Sequence, residues 1–181
     1  VRVTTYYLQM LSPGELRPSR ASAAHAQVAR VATPLPELNR FFYTAVGGSW
    51  FWIDRLSWTY AKWHAYLAEP RVETWVLSVA GVPAGYFELD AAAGDPEIAY
   101  FGLLPTYVGQ GLGGHLLTRA VERAWELGGQ RVWLHTCSLD HPAALAAYQA
   151  RGFALYHTEE HEEDLPPITP GPWPGHDEGF R

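Results

Sequence analysis

Cysteine, methionine and lysine each occur once, as Cys137, Met10 and Lys62. A single cysteine excludes an intrachain disulfide and points to a reducing compartment. With one lysine, arginine supplies almost all the positive charge, and the net charge of -6 carries no basic stripe. The electrostatic footprint of a nucleic-acid partner is therefore missing. No apolar run approaches the length of a membrane span, and Val1-Arg2-Val3 reads as the start of a strand rather than a signal peptide. A cytoplasmic protein with no membrane partner is expected. Charge is also scarce, at 18% of residues, whereas 48% are hydrophobic and eight are tryptophan. Most of the chain thus has the means to bury a core, and its 181 residues suit one domain.

Short apolar runs alternate with turn signals along the chain. VRVTTYYLQML, rich in β-branched and aromatic residues, is a strand closed by Ser12-Pro13-Gly14. Between Arg17 and Pro36 the signals are mixed, with alanines broken by prolines. Two helices are predicted next, on either side of the Gly47-Gly48 loop; Leu56, Tyr60, Trp63 and Leu67 fall at helical spacing and Pro70 stops the run. TWVLSVAGVPAGYFELD has the pattern of a hairpin turning at Gly81, and EIAYFGLL is a strand apolar on both faces, suited to the middle of a sheet. After a glycine-rich loop, Leu116, Leu117, Ala120, Val121 and Ala124 mark a helix face that ends at Gly128-Gly129. RVWLHT is a strand, HPAALAAYQARGF a helix capped by Gly152, and ALYHTEEHEE a last strand. The remainder is too rich in proline and glycine for regular structure. A mixed α/β domain follows.

The glycine loop, VGQGLGGHLL over residues 108–117, contains G-x-G-x-x-G at Gly109, Gly111 and Gly114. Glycines at the mouth of a helix let backbone N–H groups approach a pyrophosphate, and the helix N-terminus adds partial positive charge. A dinucleotide fold needs its glycines directly after the first strand and an acid about 20 residues on. Here Pro105-Thr106-Tyr107-Val108 intervene and the next strand ends in Leu134-His135-Thr136, so the acid is missing. A bare strand-to-helix connection is the plainer reading, yet four glycines cost more conformational entropy than it requires. Two metal patterns also occur. His157 to His161 spells H-x-x-E-H, but a strand there would separate the histidines by about 13 Å. His135, Cys137 and His141 lie within seven residues, though each has an ordinary packing role; no metal is expected.

Two motifs in order carry a resemblance to the GCN5-related N-acetyltransferases (GNAT), whose glycine loop R/Q-x-x-G-x-G/A opens a helix and whose later helix bears N-x-x-A-x-x-x-Y-x-x-x-G-F. VGQGLG supplies Gly111 and Gly113, with Val108 where arginine or glutamine is usual. HPAALAAYQARGF supplies Ala144, Tyr148, Gly152 and Phe153 in register, with His141 in place of asparagine. The resemblance covers roughly residues 74–156. It implies a single GNAT-like α/β domain over residues 1–165, a mixed, mostly antiparallel central sheet flanked by helices, with a tail over 166–181. The first strand and the helices after it fit the family's order of elements.

What the resemblance implies chemically is acetyl-CoA as co-substrate and direct acyl transfer to a primary amine. Val108, Gly109, Gln110, Gly111, Leu112, Gly113 and Gly114 would cradle the pyrophosphate through their main chain. Main-chain groups of Leu103 and Leu104 would lie beside the pantetheine arm, and His141 would join the cofactor site. Tyr148 is the expected general acid, since a phenol with a pKa near ~10 is protonated at neutral pH. Glu97 is the expected base, used directly or through water. Glu88 is held in reserve and counted with the acceptor region, where Phe42, Tyr43, Trp50 and Trp52 offer aromatic faces, Asp54 and Arg55 offer polar ones, and core packing is the competing role. The acceptor is a small-molecule or peptide amine of open identity, and a homodimer stays open. A non-catalytic acyl-CoA-binding module on the same fold is the alternative.

Overall fold

The computed structural model describes residues 1–20, 25–92 and 94–172. In chain order the elements are β1 (Arg2–Met10), β2 (Ala26–Arg30), α1 (Pro36–Gly47), α2 (Tyr60–Leu67), β3 (Val72–Val79), β4 (Val82–Asp90), β5 (Glu97–Leu103), α3 (Leu112–Glu126), β6 (Val132–Cys137), α4 (Ala144–Ala150) and β7 (Ala154–Glu162). The seven strands form one sheet in the order β2-β3-β4-β5-β6-β1-β7. Every described pairing is antiparallel except β5 with β6, which is parallel and held by the single rung Glu97–Trp133.

β1 takes the place its composition demands, though not beside the next strand in sequence. Leu8 and Met10 are buried on one face and Val3 and Thr5 on the other, so β1 is stable only with cover on both sides. It lies between β6 and β7, pairing Leu8 with Leu134 and Val3 with His161. The sheet edge next to β3 goes instead to β2, AQVAR, a strand hidden in the segment of mixed signals. Its residues are mostly exposed, and small, polar residues suffice at an edge. β7 is the opposite edge, and all nine of its residues are exposed.

Helix α3 lays Leu112, Leu116, Leu117, Ala120, Val121 and Ala124 on one face of the sheet, against Leu8, Phe87, Ile98 and Leu134. Each fully buried leucine contributes about 1.5–3 kcal/mol, which makes this the main core. α1 and α2 cover the other face with two smaller clusters, one around Tyr43, Trp63 and Leu67, one around Phe42, Val46 and Tyr86. α2 starts later than the periodicity predicts, because the Thr59 hydroxyl accepts a hydrogen bond from Lys62 N (3.2 Å) and caps the helix. Leu56 therefore falls in a turn. The hairpin turns at Ala80-Gly81, both with positive φ. Of the predicted tail, residues 173–181 lie outside the described residues; Gly171 approaches α1's end, its N–H 3.4 Å from Gly48 O. Among the described residues no helix is long and apolar enough to cross a membrane.

Candidate active site

Beyond the rung Glu97–Trp133, β5 has no strand on its β6 side. The gap opens into a cavity of about 570 Å³, walled by β5 from Ile98 to Leu103, by β6 from His135 to Cys137, and by Val3, Thr5 and Tyr7 of β1. Trp50, Trp52 and Asp54 of the α1–α2 connection close one side, and Val108, Gly109 and Gly113 stand at one end. The size is that of a small-molecule site. α1 packs closely on β5 here: a Cβ at Gly102 would sit 2.3 Å from Val46 Cγ1.

The glycine loop follows a 3₁₀ turn, Pro105–Tyr107. Gly109 and Gly111 have φ of 82° and 78°, a backbone that favours glycine, and Gly111 is the N-cap of α3 with no side-chain cap. The first amides of α3 are thus left without a side-chain acceptor, which suits an anion. The side chains of the loop, by contrast, serve the fold. Gln110 turns back to donate to Thr106 O (2.8 Å), and Leu112 is buried in the main core. Gly114 is small because residues 17–20 cross it: a Cβ there would lie 2.9 Å from Ser19 Oγ and 3.9 Å from the Arg151 guanidinium carbon. Leu103 lines the cavity, whereas the Leu104 N–H is spent on Ala84 O (2.8 Å). Among the described residues no arginine or lysine lines the cavity.

α4 and the loop before it bring two predicted residues to the cavity. Tyr148 is 9% exposed, packed edge-on against Phe101 and Phe153, and its hydroxyl makes no hydrogen bond to a described residue. Burial, reinforced by Asp140, pushes its pKa up, so the phenol stays protonated. His141 caps α4's approach: its Nδ1 accepts from Ala143 N (3.1 Å) and its ring meets Trp50 edge-on. Asp140, which sequence reasoning passed over, accepts from Thr136 Oγ1 (2.5 Å), Cys137 N (3.2 Å) and Trp52 Nε1 (3.1 Å). It thereby ties the α1–α2 connection to the β6–α4 loop across the cavity.

Glu97 does not face the cavity directly. Its side chain is 19% exposed and its Oε1 lies 3.1 Å from Nδ1 of His135, which does line the cavity. The hydrogen bond to Glu97 raises the His135 pKa above 6.5 against the opposing effect of burial. Nothing in the sequence marked this pair, because its members lie 38 residues apart on different strands.

The residues expected at the acceptor divide. Trp50, Trp52 and Tyr43 line the cavity, Tyr43 with almost no exposed surface and its hydroxyl accepting from Arg55 N (3.1 Å). Phe42 is a correction: it is fully buried and stacked on Tyr86 at 4.9 Å, because its face of α1 meets the sheet. Glu88 is a second correction. It is 1% exposed and accepts from Arg55 Nη1 (2.8 Å), Tyr66 Oη (2.7 Å) and Asn39 Nδ2 (3.2 Å). A carboxylate so enclosed must be paired, and the Arg55 guanidinium that pairs it is itself packed on the rings of Trp58, Tyr66 and Tyr100.

The sheet is mostly antiparallel and splits beside a glycine-opened helix, with a buried tyrosine at the split. The chain belongs to the acetyltransferase (GNAT) family, whose model matches residues 35–153. Among solved structures, a GCN5-related N-acetyltransferase from Kribbella flavida is 25% identical, with a TM-score of 0.61 over 86% of this chain and 55% of its own. One from Sphaerobacter thermophilus is 16% identical, with a TM-score of 0.64 over 93% of this chain and 53% of its own. The ribosomal-protein-S18-alanine N-acetyltransferase from Escherichia coli is 19% identical, with a TM-score of 0.55 over 71% of this chain and 77% of its own. The chain spans little more than half the length of the first two. No curated protein matches it.

Proposed function

We propose that this domain transfers an acetyl group from acetyl-CoA to a primary amine by direct attack, without an acyl-enzyme. The observation that carries the reading is a single cavity lined by Gly109 and Gly113 at the uncapped start of α3, by Tyr148 and by His135. The residues fit the co-substrate: amides at Gly109 to Gly113 suit a pyrophosphate, and the unpaired flank of β5 suits an extended arm. Arg151, beside Gly114, supplies a cation near the loop that Val108 does not.

Acetyl-CoA supplies the activated thioester, and the chain's own groups handle protons and position. Tyr148 donates toward the departing sulfur. The proton lost by the amine goes to the basic side of the split, where Glu97 is paired with His135. Trp50, Trp52 and Tyr43 form the aromatic wall beside which the amine enters, with Asp54 open to a positive charge. Both small-molecule and peptide amines meet these requirements. Cys137, whose thiol pKa is pushed up by burial, has no role in direct transfer.

A melting-temperature screen with acetyl-CoA, longer acyl-CoAs and NAD, followed by thiol release over a panel of small amines and peptides, tests the reading. Stabilisation by acetyl-CoA and amine-dependent thiol release are expected. Stabilisation by NAD alone would overturn it, and acetyl-CoA binding without turnover on any amine would leave a non-catalytic binding module.

A further inference from the structure

His135 stands just past the last rung between β5 and β6, where the sheet begins to open. Its ring is gripped from three directions: Glu97 of β5 holds Nδ1 at 3.1 Å, Tyr7 of β1 packs at 5.9 Å, and Trp133 of β6 stacks at 6.3 Å. A carboxylate can only accept, so the proton of the neutral imidazole sits on Nδ1 and the lone pair on Nε2. Nε2 makes no hydrogen bond to any described residue, and the ring is part of the cavity wall. Glu97, by contrast, has its carboxylate committed to the ring and is absent from that wall.

We propose that His135 is the catalytic base of the transfer, with Glu97 as the positioning residue that fixes its tautomer and orientation. The proposal rests on the acetyl-transfer reading above. As the amine nitrogen bonds to the acetyl carbon, one N–H proton passes to His135 Nε2; the C–S bond breaks, and the sulfur takes one proton from the Tyr148 side. His135 then releases its proton to solvent and the Tyr148 phenolate takes one back, so protons balance. A base works best with a pKa near the working pH, which favours imidazole over a carboxylate.

Geometry and charge both bear on the titration. Glu97 contacts the ring from β5, and the charges of Asp140 in the β6–α4 loop and Asp54 in the α1–α2 connection also raise its pKa. Tyr7 faces it from β1 and in turn donates to Glu159 of β7 (3.3 Å). Arg131, the nearby cation on Trp133, is paired with Asp95 (3.2 Å). The surroundings are acidic, and His135 must be neutral to accept a proton, so the rate should rise with pH through a value above 6.5.

His135→Gln is expected to lower kcat for thiol release about 100-fold or more, to remove that rise, and to leave stabilisation by acetyl-CoA unchanged. Glu97→Gln should keep part of the activity and move the rise to lower pH. Independently of turnover, NMR titration of the imidazole in the wild type should find Nδ1 protonated in the neutral ring and a pKa above the ordinary value, falling in Glu97→Gln. His135→Asn repeats the comparison should the glutamine variant not fold. Either folded variant retaining wild-type kcat and the same pH profile would overturn the proposal. So would a ring whose titration ignores Glu97. Failure of the wild type to bind acetyl-CoA would overturn the acetyl-transfer reading itself.

Discussion

His141 occupies the position where the second motif usually has asparagine, and its ring nitrogen performs the short-range capping an amide would, accepting from Ala143 N. Tyr148, seven residues on, is different, because its hydroxyl makes no hydrogen bond to any described residue. Tyr148→Phe is therefore expected to leave stability and acetyl-CoA binding nearly unchanged while lowering kcat about 10- to 100-fold; parallel thiol-release and thermal-shift measurements check this. Gly111 carries φ of 78° at the head of α3, so Gly111→Ala should cost about 1 kcal/mol of stability and weaken acetyl-CoA binding. Denaturant unfolding and titration read the two effects separately. Val108, the departure from the first motif, is exposed at the cavity end. Its side chain is not what orders the loop, since the loop's shape comes from the positive-φ glycines on either side of Gln110.

Among elements, two buried carboxylates hold the helices to the sheet. Glu88 of β4 reaches Asn39 of α1, Arg55 of the connection and Tyr66 of α2 at once, so α1, α2 and the connection between them are fastened to the sheet at one point. Removing one member of a buried ion pair leaves the other uncompensated. Glu88→Ala is expected to cost about 3–5 kcal/mol, measured by chemical denaturation. On the other face, Glu73 of β3 accepts from Arg123 of α3 at 2.8 and 2.9 Å and from Trp75. Burial would raise its pKa, but these bonds and the charges of Arg123 and Arg30 outweigh burial and lower it. A carboxyl whose folded pKa is depressed stabilises the protein above about 4.5, and that stability is lost as pH falls through the lower folded value. Glu73→Gln should flatten the acid side of a stability–pH profile while shifting neutral stability downward.

For the whole molecule the decisive feature is β1, which brings residues 2–10 between strands more than 120 residues later in the chain, as in the pair Leu8–Leu134. It also carries Val3, Thr5 and Tyr7 into the cavity. Deleting residues 1–11 should leave β6 and β7 about 10 Å apart with open edges, and the product should aggregate or lose near-ultraviolet circular dichroism. A soluble, cooperatively unfolding truncation would contradict this role for β1.

Local patterning made most elements legible: α3, α4 and the β3–β4 hairpin announce themselves by period, cap and turn. β2 escaped because an exposed edge strand of alanine, glutamine and arginine has no apolar alternation to detect. Aromatic residues at helical spacing in α1 could not be sorted by sequence into wall and core, since Phe42 and Tyr43 are neighbours with different partners. Motif spacing by itself carried the GNAT resemblance, the glycine-opened helix and the place of Tyr148 on α4, because each of those signals lies within a single strand–helix unit and depends on short-range geometry. Only the tertiary structure decided that Glu88 is locked to Arg55, that Glu97 meets His135, and that the first strand completes the sheet between β6 and β7. Those are contacts between distant segments, selected by burial and charge pairing in three dimensions, and no local pattern encodes them.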